Sequence, residues 1–205
     1  MSTCENNNKP ANSFDEEIKA ILITAARSRE RHFAVGQPWS GGNESFKEAN
    51  IAHDMSMAFR QAGFFAFPEF PLPEQFRKSA KGAKKSLDAI FVRNDVVIIC
   101  EWKVSTAKKG ILWDKERMEK YAPLTLKSDF REHGFKDNAR NVYLLCVCEL
   151  WEEKELETWR GYFGGWNIDN FEFSRVKWRN ELDDWLKEKE GRAYRWAWAW
   201  KKSEV

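Results

Sequence analysis

The chain has 205 residues, 42% apolar and 32% charged, with a formal net charge of +2. That length supports one domain with a sizeable core, and the composition is that of an ordinary globular protein. A strongly basic or acidic polyelectrolyte is excluded; near neutrality neither demands nor rules out nucleic acid, and any basic surface has to be local. The departure from the average is aromatic: 11 Trp and 15 Phe point to a heavily packed body or an aromatic recognition surface. The polar start MSTCENNNKPANS has no apolar signal core, and the sequence has no run of about 18 apolar residues, so neither an obvious export signal nor a membrane span is expected. Cys100, Cys146 and Cys148 lie in apolar runs and Cys4 in a polar tail, with no C-x-x-C pair and no zinc-like Cys/His spacing. Free thiols in a reducing, intracellular and cytoplasmic setting are the expectation.

Residues 1–13 are Asn-rich and expected to be disordered, with 14–205 forming a single domain. Ser13 with Glu16 has the form of a capping box, and Ile18, Ile21, Leu22 and Ala25 make one stripe of a helix from Phe14 to about His32. The Gly/Pro stretch 36–43 is expected to be a loop ending it. A second helix is predicted over 44–62, capped by Asn43 and stopped by Gly63, with Ile51, Met55 and Phe59 on its apolar stripe. Glu48 extends that stripe by one turn and Glu44 by another, so a carboxylate stands at the edge of the buried face.

Residues 64–72 read as a strand that Pro68 and Pro71 confine to a sheet edge or a bulge. A basic loop follows, carrying Lys78, Lys81, Lys84 and Lys85. Two strands, about 86–93 and 95–104, are joined by an Arg93-Asn94-Asp95 turn; the second is so apolar that both its faces are expected to be covered. Lys108, Lys109 and Gly110 form another expected basic loop, then a helix over 114–121 that Pro123 bends or ends. Residues 141–150 are a strongly apolar strand and 151–160 a helix; 161–170 read as a loop, 171–178 as an exposed strand and 180–190 as a short helix. In 194–201 the period of two puts Tyr194, Trp196, Trp198 and Trp200 on one face, a pattern more typical of sheet packing than of base stacking. The order is helix, strand, strand, strand, helix, strand, with additions at both ends: an α/β (α+β) layered domain with one mixed sheet.

Within this frame Asp88, Glu101 and Lys103 are out of place, being charged groups in strands that read as buried. Glu101 and Lys103 are two apart and share a face, and Asp88 enters on the strand before. Two carboxylates suffice for Mg²⁺, which keeps several of its waters, and a lysine beside them orients a nucleophilic water or neutralises developing charge. The Trp102 peptide carbonyl is a further oxygen donor.

The D-(about a dozen residues)-E-x-K pattern across a hairpin, after a Glu-bearing helix and before a helix and a strand, resembles the PD-(D/E)xK nuclease superfamily, whose fold is restriction-endonuclease-like. The resemblance covers about residues 44–150, leaving about 151–205 as an elaboration. It implies catalytic roles for Asp88, Glu101, Lys103 and, on the preceding helix, Glu48 rather than Glu44. It also implies a Mg²⁺ or Mn²⁺ ion on Asp88, Glu101 and the Trp102 carbonyl, and DNA as substrate, cut endonucleolytically. Lys81, Lys84, Lys85, Lys108 and Lys109 flank the pattern and are candidates for phosphate contact. Dimerisation is common in this fold and enters by analogy. The proline before the first acid is replaced by Leu87, which removes no ligand; the Gln-x-x-x-Tyr of RecB-like members reads Arg117-Met-Glu-Lys-Tyr121, so the branch is not assigned.

Blander readings stand beside these. Glu101 and Lys103 form a surface ion pair in one, and Asp88 merely starts a strand in another. Glu69 is not favoured as an extra ligand, and His32, His53 and His133 have no spacing that links them. A catalytically inactive nuclease-fold subunit that binds nucleic acid or a partner is the alternative from a different class. RNA cleavage, or cleavage triggered by a small molecule in antiviral defence, is more distant.

Overall fold

The structure is a computed structural model that describes residues 14–40, 48–72, 86–103, 108–125, 141–150, 153–173 and 195–203. The tail 1–13, the caps and acids at 43–44, Lys78, Lys81, Lys84 and Lys85, and the expected helix 180–190 lie outside the described residues. Among the described residues four helices accompany six strands: α1 (Phe14–Ser40), α2 (Glu48–Gln61), β1 (Phe65–Pro71), β2 (Ser86–Arg93), β3 (Val96–Lys103), α3 (Lys108–Thr125), β4 (Asn141–Leu150), α4 (Glu153–Tyr162), β5 (Asn167–Glu172) and β6 (Arg195–Lys202). The strands form one mixed sheet in the order β1-β2-β3-β4-β6-β5. Only β3 and β4 are parallel, and α3 lies between them in the chain, as a parallel crossover requires.

The alternation of β3 shows how the two faces are covered. Ile98, Cys100 and Trp102 join one core with α1 and α2, while Val97 and Ile99 join the other with Ile111, Met118 and Tyr121 of α3 and Leu156 and Trp159 of α4. Both faces are buried, so the sequence reads as an unbroken apolar run. In β6, Trp196, Trp198 and Trp200 face the α1–α2 side, and Ala197 and Ala199 face the other, where Trp159, Phe163 and Trp166 supply the bulk. The expected Trp face is therefore core. Arg93, the last residue of β2, ties α1 and the end of α2 to the sheet: it donates to both carboxylate oxygens of Glu17 at 2.6 and 2.7 Å and to the Ala62 carbonyl at 2.8 Å. The β2–β3 turn needs Asn94 at φ +51°, a conformation that Asn tolerates.

Three expectations are corrected. Helix α1 does not end near His32 but runs through 36–38 to Ser40. One Gly costs an established helix about 1 kcal/mol, and a Pro in its last turn removes one hydrogen bond, which leaves propagation possible. Lys108–Gly110 are not a loop but the first turn of α3, and Pro123 sits inside its last turns. Asn167–Asn170, expected in a loop, begin β5, which pairs with β6 from Asn167↔Trp200 to Glu172↔Arg195. That strand is partly exposed at the sheet edge, so pairing rather than hydrophobic pattern defines it.

Phe59 of α2 stacks on Phe91 of β2 with ring centroids 3.9 Å apart, and both are fully buried. Phe59→Ala is expected to cost roughly 3–5 kcal/mol in a urea unfolding titration. Phe65→Ala, at a side chain 62% exposed on the edge strand, is expected to stay within about 0.5 kcal/mol of wild type.

Candidate active site

Asp88 and Glu101 enter the same face by strand parity. Ile90 and Val92 of β2, and Val97 and Ile99 of β3, belong to the core on the α3–α4 side; Asp88 is in phase with the first pair, Glu101 and Lys103 with the second. The β2–β3 ladder runs as far as Ala89↔Cys100. One residue on, the Asp88 side chain takes over from backbone pairing: its Oδ2 accepts the Trp102 N–H at 2.8 Å. Asp88 is thereby held against the peptide that separates Glu101 from Lys103. A residue in an antiparallel pair directs its N–H and C=O to the same neighbour, so the Trp102 carbonyl also lies on the Asp88 side. Asp88 is 3% exposed and Glu101 0%. A surface ion pair between Glu101 and Lys103 is therefore not what the strand carries.

Helix α3 supplies what the sequence reading lacked. Arg117 Nη2 donates to Glu101 Oε1 at 2.5 Å and to Asp114 Oδ1 at 2.7 Å, and Lys103 Nζ pairs with the other Asp114 oxygen at 2.7 Å. Asp114 is buried, and Arg117 and Lys103 are mostly so. The spacing 114, 117, 118, 121 keeps Asp114, Arg117, Met118 and Tyr121 on the helix face that meets the sheet. In the sequence Arg117 stands out only as the residue in a Gln position, and the motif does not include Asp114. Its signal was its place on that face, a charge in phase with Met118 and Tyr121. Within the group, three carboxylates stand against two cations.

Glu48 opens α2, one helical turn before buried Ile51. Helix α2 packs on the α1–α2 side and ends beside Arg93, three residues before β1, so it doubles back along the sheet and its Glu48 end lies toward the Asp88 end of β2. Lys108 and Lys109 begin α3, next in the chain after the segment following Lys103. Glu69 is exposed on edge strand β1 at φ +50°, and His53 is exposed on α2.

A second buried polar group, missed in the sequence, lies on the other face. Arg29 of α1 pairs with Glu149 of β4 at 3.5 Å, Trp196 Nε1 donates to the same Glu149 oxygen at 3.3 Å, and Ser28 donates to Asp54 of α2 at 2.9 Å. Arg29, Asp54 and Glu149 are all buried. Asp54 interrupts the stripe of Ile51, Met55 and Phe59, which was the available signal.

Among the described residues no group of three or more His, Cys, Asp or Glu side chains is arranged to hold a metal ion. Asp88, Glu101 and the Trp102 carbonyl are all oxygen donors. That donor chemistry suits Mg²⁺ or Mn²⁺, which need only one or two carboxylates and complete their shell with water. No protein-family model, curated protein or solved structure matches the chain. Among the described residues no helix is long and apolar enough to cross a membrane.

Cys146, in register with Glu101, has its thiol pushed well above the usual range by burial, with Cys148, Asp114, Cys100 and Glu101 adding to it. Burial does the same to Cys100 and Cys148. The thiolate is the reactive form, so these three cysteines are expected to resist a thiol reagent in the native protein even at pH 9 and to react once it is unfolded. The unfolded chain gives up these protons at lower pH than the folded one. Stability should therefore hold below the ordinary thiol range and fall as pH rises through it, which denaturation at stepped pH would read.

Proposed function

We propose that the chain is a divalent-metal-dependent nuclease of the PD-(D/E)xK, restriction-endonuclease-like kind that hydrolyses phosphodiester bonds of DNA, as an endonuclease. The observation that carries this reading is the Asp88–Trp102 hydrogen bond, which draws the first acid against the E-x-K strand on one face of the sheet. The run α2-β1-β2-β3-α3-β4, with β1, β2 and β3 antiparallel and β4 parallel to β3, supports a restriction-endonuclease-like core.

In this reading Asp88, Glu101 and the Trp102 carbonyl would hold Mg²⁺ or Mn²⁺; Glu48, the further acid that the resemblance implies, begins α2, which packs on the opposite face of the sheet. The bound ion supplies Lewis acidity at the phosphate and a more acidic water. Lys103, steadied by Asp114, orients the attacking water; the water oxygen bonds to phosphorus as it gives up a proton to solvent, one P–O ester bond breaks, and the leaving oxygen takes up a proton from solvent. Lys108 and Lys109 at the start of α3, with Lys81, Lys84 and Lys85, contact backbone phosphates. The site is built within one chain, and a homodimer would bring two such sites to the two strands of a duplex.

One observation favours a second reading. Glu101 and Lys103 each hold a protein partner already, Arg117 and Asp114, so residues alone balance much of the group's charge. A catalytically inactive nuclease-fold subunit that binds nucleic acid would have that property.

Plasmid cleavage separates the two. Nicking or linearisation is expected with Mg²⁺ and none with EDTA, and Asp88→Ala and Lys103→Ala are each expected to lose roughly a hundredfold or more. Cleavage that survives both substitutions removes the assignment. DNA binding without cleavage, in protein that takes up no Mn²⁺ at millimolar concentration, favours the inactive subunit.

A further inference from the structure

We propose that Arg117 is a built-in competitor of the metal at Glu101, and that Asp114 is the second seat onto which it withdraws. The inference rests on the metal-site reading above and adds a positioning role for two residues of α3. Its basis is one nitrogen. Arg117 Nη2 touches both Glu101 Oε1, at 2.5 Å, and Asp114 Oδ1, at 2.7 Å. The guanidinium already lies between the two carboxylates, so giving up Glu101 needs a small side-chain rotation and no backbone movement.

The grip on Glu101 is also not the strong parallel fork of which arginine is capable. It runs through one nitrogen shared with a second acid, and among the described residues Arg117 Nε is buried with no hydrogen-bond partner. Glu101 itself is fully buried, in the third strand of the sheet, where a carboxylate without a countercharge is strongly destabilising. Arg117 therefore meets a need of the metal-free protein. The same contact occupies one of the oxygens a cation would take. Loading the site then exchanges one countercharge for another, and Asp114 keeps the released guanidinium paired while it continues to hold Lys103. The consequence is weakened metal affinity together with a folded metal-free state.

The test is Mn²⁺ titration calorimetry on the full chain, paired with thermal unfolding in EDTA. Arg117→Gln is expected to unfold at lower temperature without metal, to regain most of that loss with Mn²⁺, and to bind Mn²⁺ about tenfold more tightly than wild type, the scale on which one contacting charge shifts a carboxylate's affinity for a proton. Lys103→Gln removes a like charge from the same face, one that pairs with Asp114, and is expected to gain clearly less. Equal gains in the two variants, or no gain in Arg117→Gln while Asp88→Asn abolishes wild-type binding, overturn the competition and leave the metal site standing. No binding in wild type or in either variant removes the metal site and this inference with it. Should Arg117→Gln fail to fold, Asp114→Asn decides: deprived of its second seat, Arg117 holds Glu101 harder and Mn²⁺ binding weakens, whereas unchanged or tighter binding overturns the proposal.

Discussion

Glu101 is a carboxylate with no solvent exposure in the third strand of a six-stranded sheet whose two faces are both covered. Taking an ion out of water costs several kcal/mol even after relaxation, and the cost is recovered only if the ion is paired with good geometry. Much of the architecture around it serves that requirement. Helix α3 has to present Arg117 to the sheet, which fixes the rotation of the helix and brings Asp114 with it. Asp114 then becomes the anchor for Lys103 on the neighbouring strand position. A single buried charge thus links the crossover helix to the end of the central hairpin.

The same end of the sheet is polar on its other face too. Lys103 pairs in register with Cys148, and the next residue of β4, Glu149, turns to the α1–α2 side and meets Arg29 and Trp196. The carboxyl ends of the parallel strands β3 and β4 therefore carry buried charge above and below the sheet. In open α/β sheets this is the end at which ligands are bound, because helix starts and loops gather there. The opposite end is held differently, by partly exposed Arg93 reaching Glu17 and the Ala62 carbonyl. The molecule concentrates its costly buried charges where a function would use them and uses a solvent-accessible anchor where it needs only cohesion.

Much of the sheet was legible because period-two and unbroken apolar runs leave a strand little choice. Strands 86–93, 141–150 and the Trp-bearing β6 fall within a residue or so of their expected places. Helix ends were less legible. Gly36 and Pro38 looked like terminators, yet α1 passes through them, since a helix already nucleated by a long apolar stripe tolerates isolated poor formers. The start of edge strand β5 was not legible because Asn167–Asn170 are partly exposed and mostly polar; its identity comes from pairing with β6, more than twenty residues away in sequence.

The sequence by itself determined that Glu101 and Lys103 share one sheet face, because side-chain alternation in a strand is a local property that tertiary packing cannot change, whereas Asp88 joins them through the register of the β2–β3 hairpin. It likewise determined that three tryptophans of β6 face the same way. Which groups balance those charges was decided only in three dimensions. Arg117 lies 16 residues from Glu101 and Arg29 lies far from Glu149, and no periodicity in the chain encodes either meeting. They are set by the rotation at which α3 and α1 settle on the sheet, which depends on how whole surfaces interlock.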